Sequence, residues 1–194
     1  MERAAMVSSA PGEVEAVEVG GVALWIRPID AQDDLRLVAF FNSLSPHSIY
    51  MRFFAPMKAL SAAMVENFTR VDPRRHIALV ALQREALGHP MLGVARVIAQ
   101  ENPTHGEFSV VVADAWQGRG IGAALLQRCI GLAATRGIQK IWGLVLAENT
   151  QMLALGRKLG FTIQRAEGTG YELAIDVTVA APEIERMVQR VPTL

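Results

Sequence analysis

The sequence predicts an α+β domain, with a central mixed, mostly antiparallel, twisted sheet of about six or seven strands and helices on both faces. Three observations predict it. Strand-like and helix-like stretches follow the order strand, two helices, three strands, helix, strand, helix, two strands. The apolar period changes from helical spacing before Asp72-Pro73 to alternation and continuous apolar runs after it. Only one strand–helix–strand unit includes the glycine-rich turn at 118–122, so the sheet is mixed rather than wholly parallel.

Each element has its own signal. Gly20-Gly21 punctuates the N-terminal segment, and Val22 to Ile26 reads as a strand ending at Pro28. Asp30 caps a helix from about Ala31 to Asn42, with Leu35, Leu37, Val38 and Phe41 on its buried side. Pro46 interrupts, and SPHSIYMRFF reads as an aromatic-rich connection. Ser61 caps a second helix through Phe68. Ile77 to Leu82, Leu92 to Ala99 and Glu107 to Val112 read as strands separated by turn signals. A helix from Ile121 to about Thr135 presents Ile121, Leu125, Cys129 and Leu132 as its core stripe and stops at Gly137. Strand Ile141–Leu146, helix Thr150–Leu159, and strands Phe161–Gln164 and Tyr171–Val177 complete the pattern. Residues 1–19 are expected to be a flexible extension, 20–178 the domain, and 179–194 a C-terminal helix or tail.

The totals narrow the function. Lys plus Arg and Asp plus Glu balance at 19 each, which argues against a general attraction to nucleic acid or an anionic membrane. No apolar run reaches the length of a membrane span, and the N-terminus lacks a signal-like apolar core. The single Cys129 excludes an internal disulfide framework. His47, His76, His89 and His105 show no metal spacing, so no metal is expected, and surface or capping roles are expected for all four. A cytoplasmic protein is expected, and the oligomeric state stays open.

The informative stretch is VVADAWQGRGIGAALLQR (111–128). A helix start leaves backbone N–H groups unpaired, and their partial positive charge attracts anions. Glycines at 118, 120 and 122 remove side chains that would hold a phosphate away, with Gln117 and Arg119 as possible extra donors. A Walker loop is excluded, because Ala123-Ala124 follows Gly122 in place of Lys-Ser/Thr. The dinucleotide fingerprint matches literally at Gly118, Gly120 and Ala123, but the acidic residue expected after the next strand is absent, Glu148 being late.

The third pattern, Gln/Arg-x-x-Gly-x-Gly/Ala, fits Gln117-Gly-Arg-Gly120-Ile-Gly122 at every position. Here the sequence resembles the GNAT superfamily of acyl-CoA N-acyltransferases. Val110-Val-Val112 before the turn, Asn149 after the next strand and Lys158-Leu-Gly-Phe161 after the next helix extend the resemblance over about residues 20 to 178. SLSPHSIYMRFF (43–54), with GEFSVVVADAWQGRGIG (106–122), is similar to bacterial Pat-type protein lysine acetyltransferases.

The resemblance implies the GNAT fold and acetyl-CoA as co-substrate. It implies backbone groups of Val110 and Val112 on the pantetheine arm, the turn Gln117, Gly118, Arg119, Gly120, Gly122, Ala123 on the pyrophosphate, and Asn149 where the strands splay. An amine of pKa ~10.4 must lose a proton before it attacks a thioester. Glu107 occupies the position where Pat-type enzymes carry a glutamate base, and alternation puts Glu107, Ser109 and Val111 on one face. A backbone N–H near Val112 would stabilise the oxyanion. Seven residues after the asparagine, where many GNAT enzymes place an acid tyrosine, stands Gly156.

The implied function is acetyl transfer to a primary amine, with a protein lysine favoured because segment 43–58 carries Arg52 and Lys58 and no carboxylate. A small-molecule amine acetyltransferase and a catalytically silent acyl-CoA sensor are the alternatives.

Overall fold

The computed structural model describes residues 14–168 and 170–177. The expectations for residues 1–13 and for 178–194, including a last helix, lie outside the described residues.

Eight strands form one sheet: β1 (Glu15–Val19), β2 (Val22–Pro28), β3 (His76–Gln83), β4 (Met91–Ala99), β5 (His105–Val112), β6 (Lys140–Leu146), β7 (Thr162–Arg165) and β8 (Gly170–Asp176). Their order across the sheet is β1-β2-β3-β4-β5-β6-β8-β7, and every pair is antiparallel except β5–β6. Five helices pack on it: α1 (Asp34–Ser43), α2 (Pro46–Phe53), α3 (Ala62–Thr69), α4 (Ile121–Thr135) and α5 (Thr150–Lys158).

The sheet is buried on both faces, which is why its central strand reads as a continuous apolar run. On β3, Ile77, Leu79 and Ala81 face a core shared with α4 and α5, while Ala78, Val80 and Leu82 face α1 and α2. The first core is dominated by fully buried Leu24, Leu125, Leu126, Ile130, Ile141 and Leu173, each worth roughly 1.5–3 kcal/mol of transfer free energy. Cys129 lies in it, and burial pushes its thiol up to about 12, as suits an inert core thiol.

Three local expectations are corrected. Residues 15–19, assigned to a flexible extension, form β1: Val17 and Val19 are buried, alternating with glutamates, and Gly20-Gly21 is the hairpin turn to β2. Glu15 pins this strand to α4 through two bonds from Arg128, at 2.6 and 2.7 Å. The segment 45–54 is not a connection but the helix α2. Pro46 occupies its first turn, where a missing N–H costs nothing, and the Ser45 hydroxyl accepts from the Ser48 N–H. Leu35 is 83% exposed, because Asp30 caps a short 3-10 turn at Ala31–Asp33 before α1 begins and rotates the buried stripe to Leu37, Phe40 and Phe41. That turn is held by Asp33, fully buried and bonded by both Arg27 nitrogens at 2.7 Å. Burial, the largest single influence, would raise the Asp33 carboxyl, but the Arg27 hydrogen bonds and charge, the Asp30 N–H and the Arg36 charge together outweigh it and hold the group below the usual carboxylate range.

Candidate active site

The parallel pair is short. His105, Gly106 and Glu107 are in register with Lys140, Ile141 and Trp142, and beyond that rung β5 and β6 part. β5 meanwhile stays paired to β4 as far as Val112. The Ala113 N–H donates to the Leu92 carbonyl and the Gln100 N–H to the His105 carbonyl, which sets the phase of the ladder. Odd-numbered residues of β5 bond toward β4, so the backbone N–H and C=O groups of Val110 and Val112 face the fork. Such an edge can pair with an amide chain. The valine side chains themselves pack against the α4 core.

At the open end of the fork the chain makes a 3-10 turn, Asp114–Trp116, and enters α4. Gly118 (φ +73) and Gly120 (φ +91) hold left-handed conformations that turn the backbone into the helix. Among the described residues, no acceptor bonds the N–H groups from Gly118 through Ala123; the first cap bond runs from the Ala124 N–H to the Gly120 carbonyl. A side chain at Gly122 would meet only ordinary contacts, the nearest being Val112 Cγ2 at 3.5 Å, and one at Gly118 would meet nothing. At Gly122 the protein has room for a side chain, so its bareness keeps the donors accessible, whereas at Gly118 the left-handed backbone already calls for glycine. These donors fit a pyrophosphate.

The β1–β2 hairpin braces this cradle from behind. A Cβ on Gly20 would strike the Arg119 carbonyl oxygen and come within 2.9 Å of Arg119 Cβ. Gln117, expected to reach the anion, turns inward instead. Its Nε2 donates to the Ser48 hydroxyl (3.1 Å) and the Val112 carbonyl (3.0 Å), and its N–H bonds the Asp114 carbonyl. It ties α2 to the end of β5. Asp114 completes the tie by accepting from the Ser45 N–H and hydroxyl and from the Ser48 hydroxyl. Sequence reading missed this brace, although Ser45-Pro46 was a legible helix start. Arg119 lies over the Trp116 ring at 4.9 Å, beside the cradle.

Asn149 caps α5, its Oδ1 accepting from the Met152 N–H at 3.0 Å. Its amide nitrogen is left for another acceptor. Gly156 is buried between α5 and β8, and a Cβ there would run into the Leu173 side chain, so no tyrosine fits at that position.

Glu107 is exposed at the crotch of the fork. Ser109 and Val111 follow it on the face covered by α1–α3, where a narrow cleft opens among Phe40, Phe41, Phe53, Phe68, Val94 and Val111. Arg52 donates to the Ser109 hydroxyl at 2.9 Å. Behind it Arg96, 4% exposed, donates to the Phe68 carbonyl at 2.9 Å and faces His76 Nε2 at 3.2 Å. His76, expected at the surface, is thus half-buried behind the cleft, against Arg96. Burial, then the Arg96 charge, push its pKa from 6.5 down to about 4. Among the described residues no cluster of His, Cys, Asp and Glu could hold a metal ion, and no helix is long and apolar enough to cross a membrane.

Comparison with known proteins identifies the family. Residues 38–161 match the family described as Acetyltransferase (GNAT) family. An acetyltransferase of Pseudomonas aeruginosa is 32% identical over 152 residues, covering 78% of this chain and 81% of that one. Acetyltransferase Pat of Mycolicibacterium smegmatis is 30% identical over 158 residues, covering 81% of this chain and 45% of that longer protein. The crystal structure of the GNAT domain of S. lividans PAT superposes with a TM-score of 0.76 at 30% identity, covering 85% of this chain and 96% of that domain. A Salmonella typhimurium structure that contains acetyl-CoA shares the fold at 19% identity, with a TM-score of 0.65 over 79% of this chain and 94% of that one. The chain belongs to the acetyltransferase (GNAT) family and is an acetyl-CoA-dependent N-acetyltransferase.

Proposed function

We propose that this chain moves the acetyl group of acetyl-CoA to a primary amine by direct attack, that Glu107 is the general base, and that the acceptor is a protein lysine side chain. The observation that carries the reading is the fork, which opens one rung after Glu107 and leads along an edge that no strand pairs, past Val110 and Val112, to the bare N–H groups of the cradle.

Acetyl-CoA supplies an activated thioester carbonyl. The N–H groups from Gly118 through Ala123 would hold its pyrophosphate, the edge groups of Val110 and Val112 its pantetheine arm, and the Asn149 amide its middle. Glu107, exposed at the crotch, takes the ammonium proton directly or through one water. A backbone N–H on the β5 edge near Val112 stabilises the developing oxyanion. With Gly156 closed to a tyrosine, solvent is left to protonate the departing thiolate, a modest demand for a thiol of pKa ~8.5.

Protein lysine is favoured by the similarity to Pat and by the absence of carboxylates along 43–58, which a dedicated polycation pocket would need. The supply of acetyl-CoA suits a cytoplasmic location. The test is thiol release from acetyl-CoA against a panel of proteins and small amines. Release that requires a protein acceptor, with acetyl-lysine found in it, is expected. Release with small amines alone would overturn the acceptor, and tight acetyl-CoA binding with no release would make the chain a sensor.

A further inference from the structure

The cleft beside Glu107 contains two cations that lie over aromatic rings, Arg52 over Phe53 at 4.9 Å and Arg96 over Phe68 at 5.1 Å, but have no ion-pair partner among the described residues. Arg52 and Arg96 sit around Ser109, which is opposite Arg96 in the β4–β5 register and accepts from Arg52. Among the described residues neither guanidinium has a carboxylate within ion-pair distance. The neighbouring acids are committed elsewhere: Asp33 to Arg27 and Arg36, Asp34 to Arg70, and Asp114 to Ser45 and Ser48. Burial lowers the pKa of Arg52, opposed by Glu107, and pushes that of Arg96 down to about 10, with Arg52 adding to the shift. Buried charges are normally paired. Glu107 is the one acid that acts on Arg52, from beyond ion-pair distance, so two close cations face a single carboxylate and the cleft is short of negative charge.

We infer that this cleft is a carboxylate-binding subsite that recognises an anionic group on the acceptor, with Arg52 and the Ser109 hydroxyl as its direct donors and Arg96 as the buried charge behind them. The Ser109 oxygen accepts from Arg52 and has its own proton left to donate, and Arg52 spends a single nitrogen on that bond. The inference rests on the reading that the amine is activated at Glu107. Glu107 and Ser109 are alternate residues on one face, so the two functions are on the order of 7 Å apart along the strand. An amine separated from a carboxylate by several methylenes spans that gap. Such an arrangement comes either from a free ω-amino acid or from a lysine with an acidic neighbour.

Three measurements separate the possibilities. Acetylation of 6-aminohexanoate is compared with 6-aminohexanamide, and of a lysine peptide bearing Glu beside the lysine with its Gln counterpart. The carboxylate member of one pair should be preferred about tenfold or more in kcat/KM. The pair that shows the preference identifies the source. In Arg52→Gln the ratio should fall to about one, and Arg52→Lys should keep part of it. Calorimetry with hexanoate and hexanamide gives a readout without turnover: hexanoate should bind tighter in the wild type and lose that advantage in Arg52→Gln. Equal rates within both pairs, with equal binding of hexanoate and hexanamide, would overturn the inference. Arg52-dependent hexanoate binding with no amine acetylated would leave the subsite standing and remove the acetyl-transfer reading instead.

Discussion

Acid should loosen this fold through His76. The ring is packed against the Arg96 guanidinium, and burial together with that charge lowers its pKa from 6.5 to about 4. The unfolded chain therefore binds a proton near pH 6.5 that the folded chain refuses until pH 4. Stability is fully present above pH 6.5, declines as pH falls toward 4, and is level below. The whole gap corresponds to about 3.4 kcal/mol, of which about 2 kcal/mol is lost between pH 7.5 and pH 5. The ring is partly open to solvent, so screening reduces this to about 1–1.5 kcal/mol. For a domain of this size that is a fall of about 2–6 °C in Tm. The assay is thermal unfolding from pH 7.5 to 5 for the wild type and for His76→Gln, which can still accept from Arg96 but cannot titrate. The wild type should lose those extra degrees relative to the variant. Parallel curves would refute the packing of a neutral imidazole on a charged Arg96, and with it the charge balance assigned to the cleft.

Other perturbations test other parts of the account. Gly20→Ala should displace the Arg119 backbone and raise the KM for acetyl-CoA severalfold with a smaller change in kcat, in steady-state kinetics. Glu15→Ala should leave Arg128, with 7% of its side chain exposed, without its ion-pair partner and cost about 2–3 kcal/mol in denaturant unfolding. Gly156→Ala should cost about 1–3 kcal/mol through overpacking against Leu173, again by denaturant unfolding.

The parts legible in the sequence were those governed by local chemistry. Alternation puts Glu107, Ser109 and Val111 on one face, and of the three glycines at 118, 120 and 122 the first two prove to be left-handed at the entry to α4. Readings failed where one residue serves two roles. Pro46 breaks a helix in its interior and begins one at its first turn, and only the Ser45 cap distinguishes the cases. The glutamates of Glu15-Ala-Val-Glu-Val19 suggested a solvated tail, while the valines between them carried the period-two signal of β1. Gln117 matched a ligand-binding pattern, yet its amide closes a bond to Ser48, 69 residues away in sequence. The Arg52–Ser109–Arg96 cluster was equally hidden, because its members come from α2, β5 and β4 and meet only after the sheet has formed.

The central claim, that the fork activates an amine at Glu107 while the cradle holds acetyl-CoA separately, is tested most directly by Glu107→Gln. Acetyl-CoA affinity and amine-dependent thiol release are measured side by side with the wild type. The account predicts affinity within about twofold and a loss of about 10²–10⁴ in kcat/KM for the amine. Thiol release at the wild-type rate in the variant would contradict it.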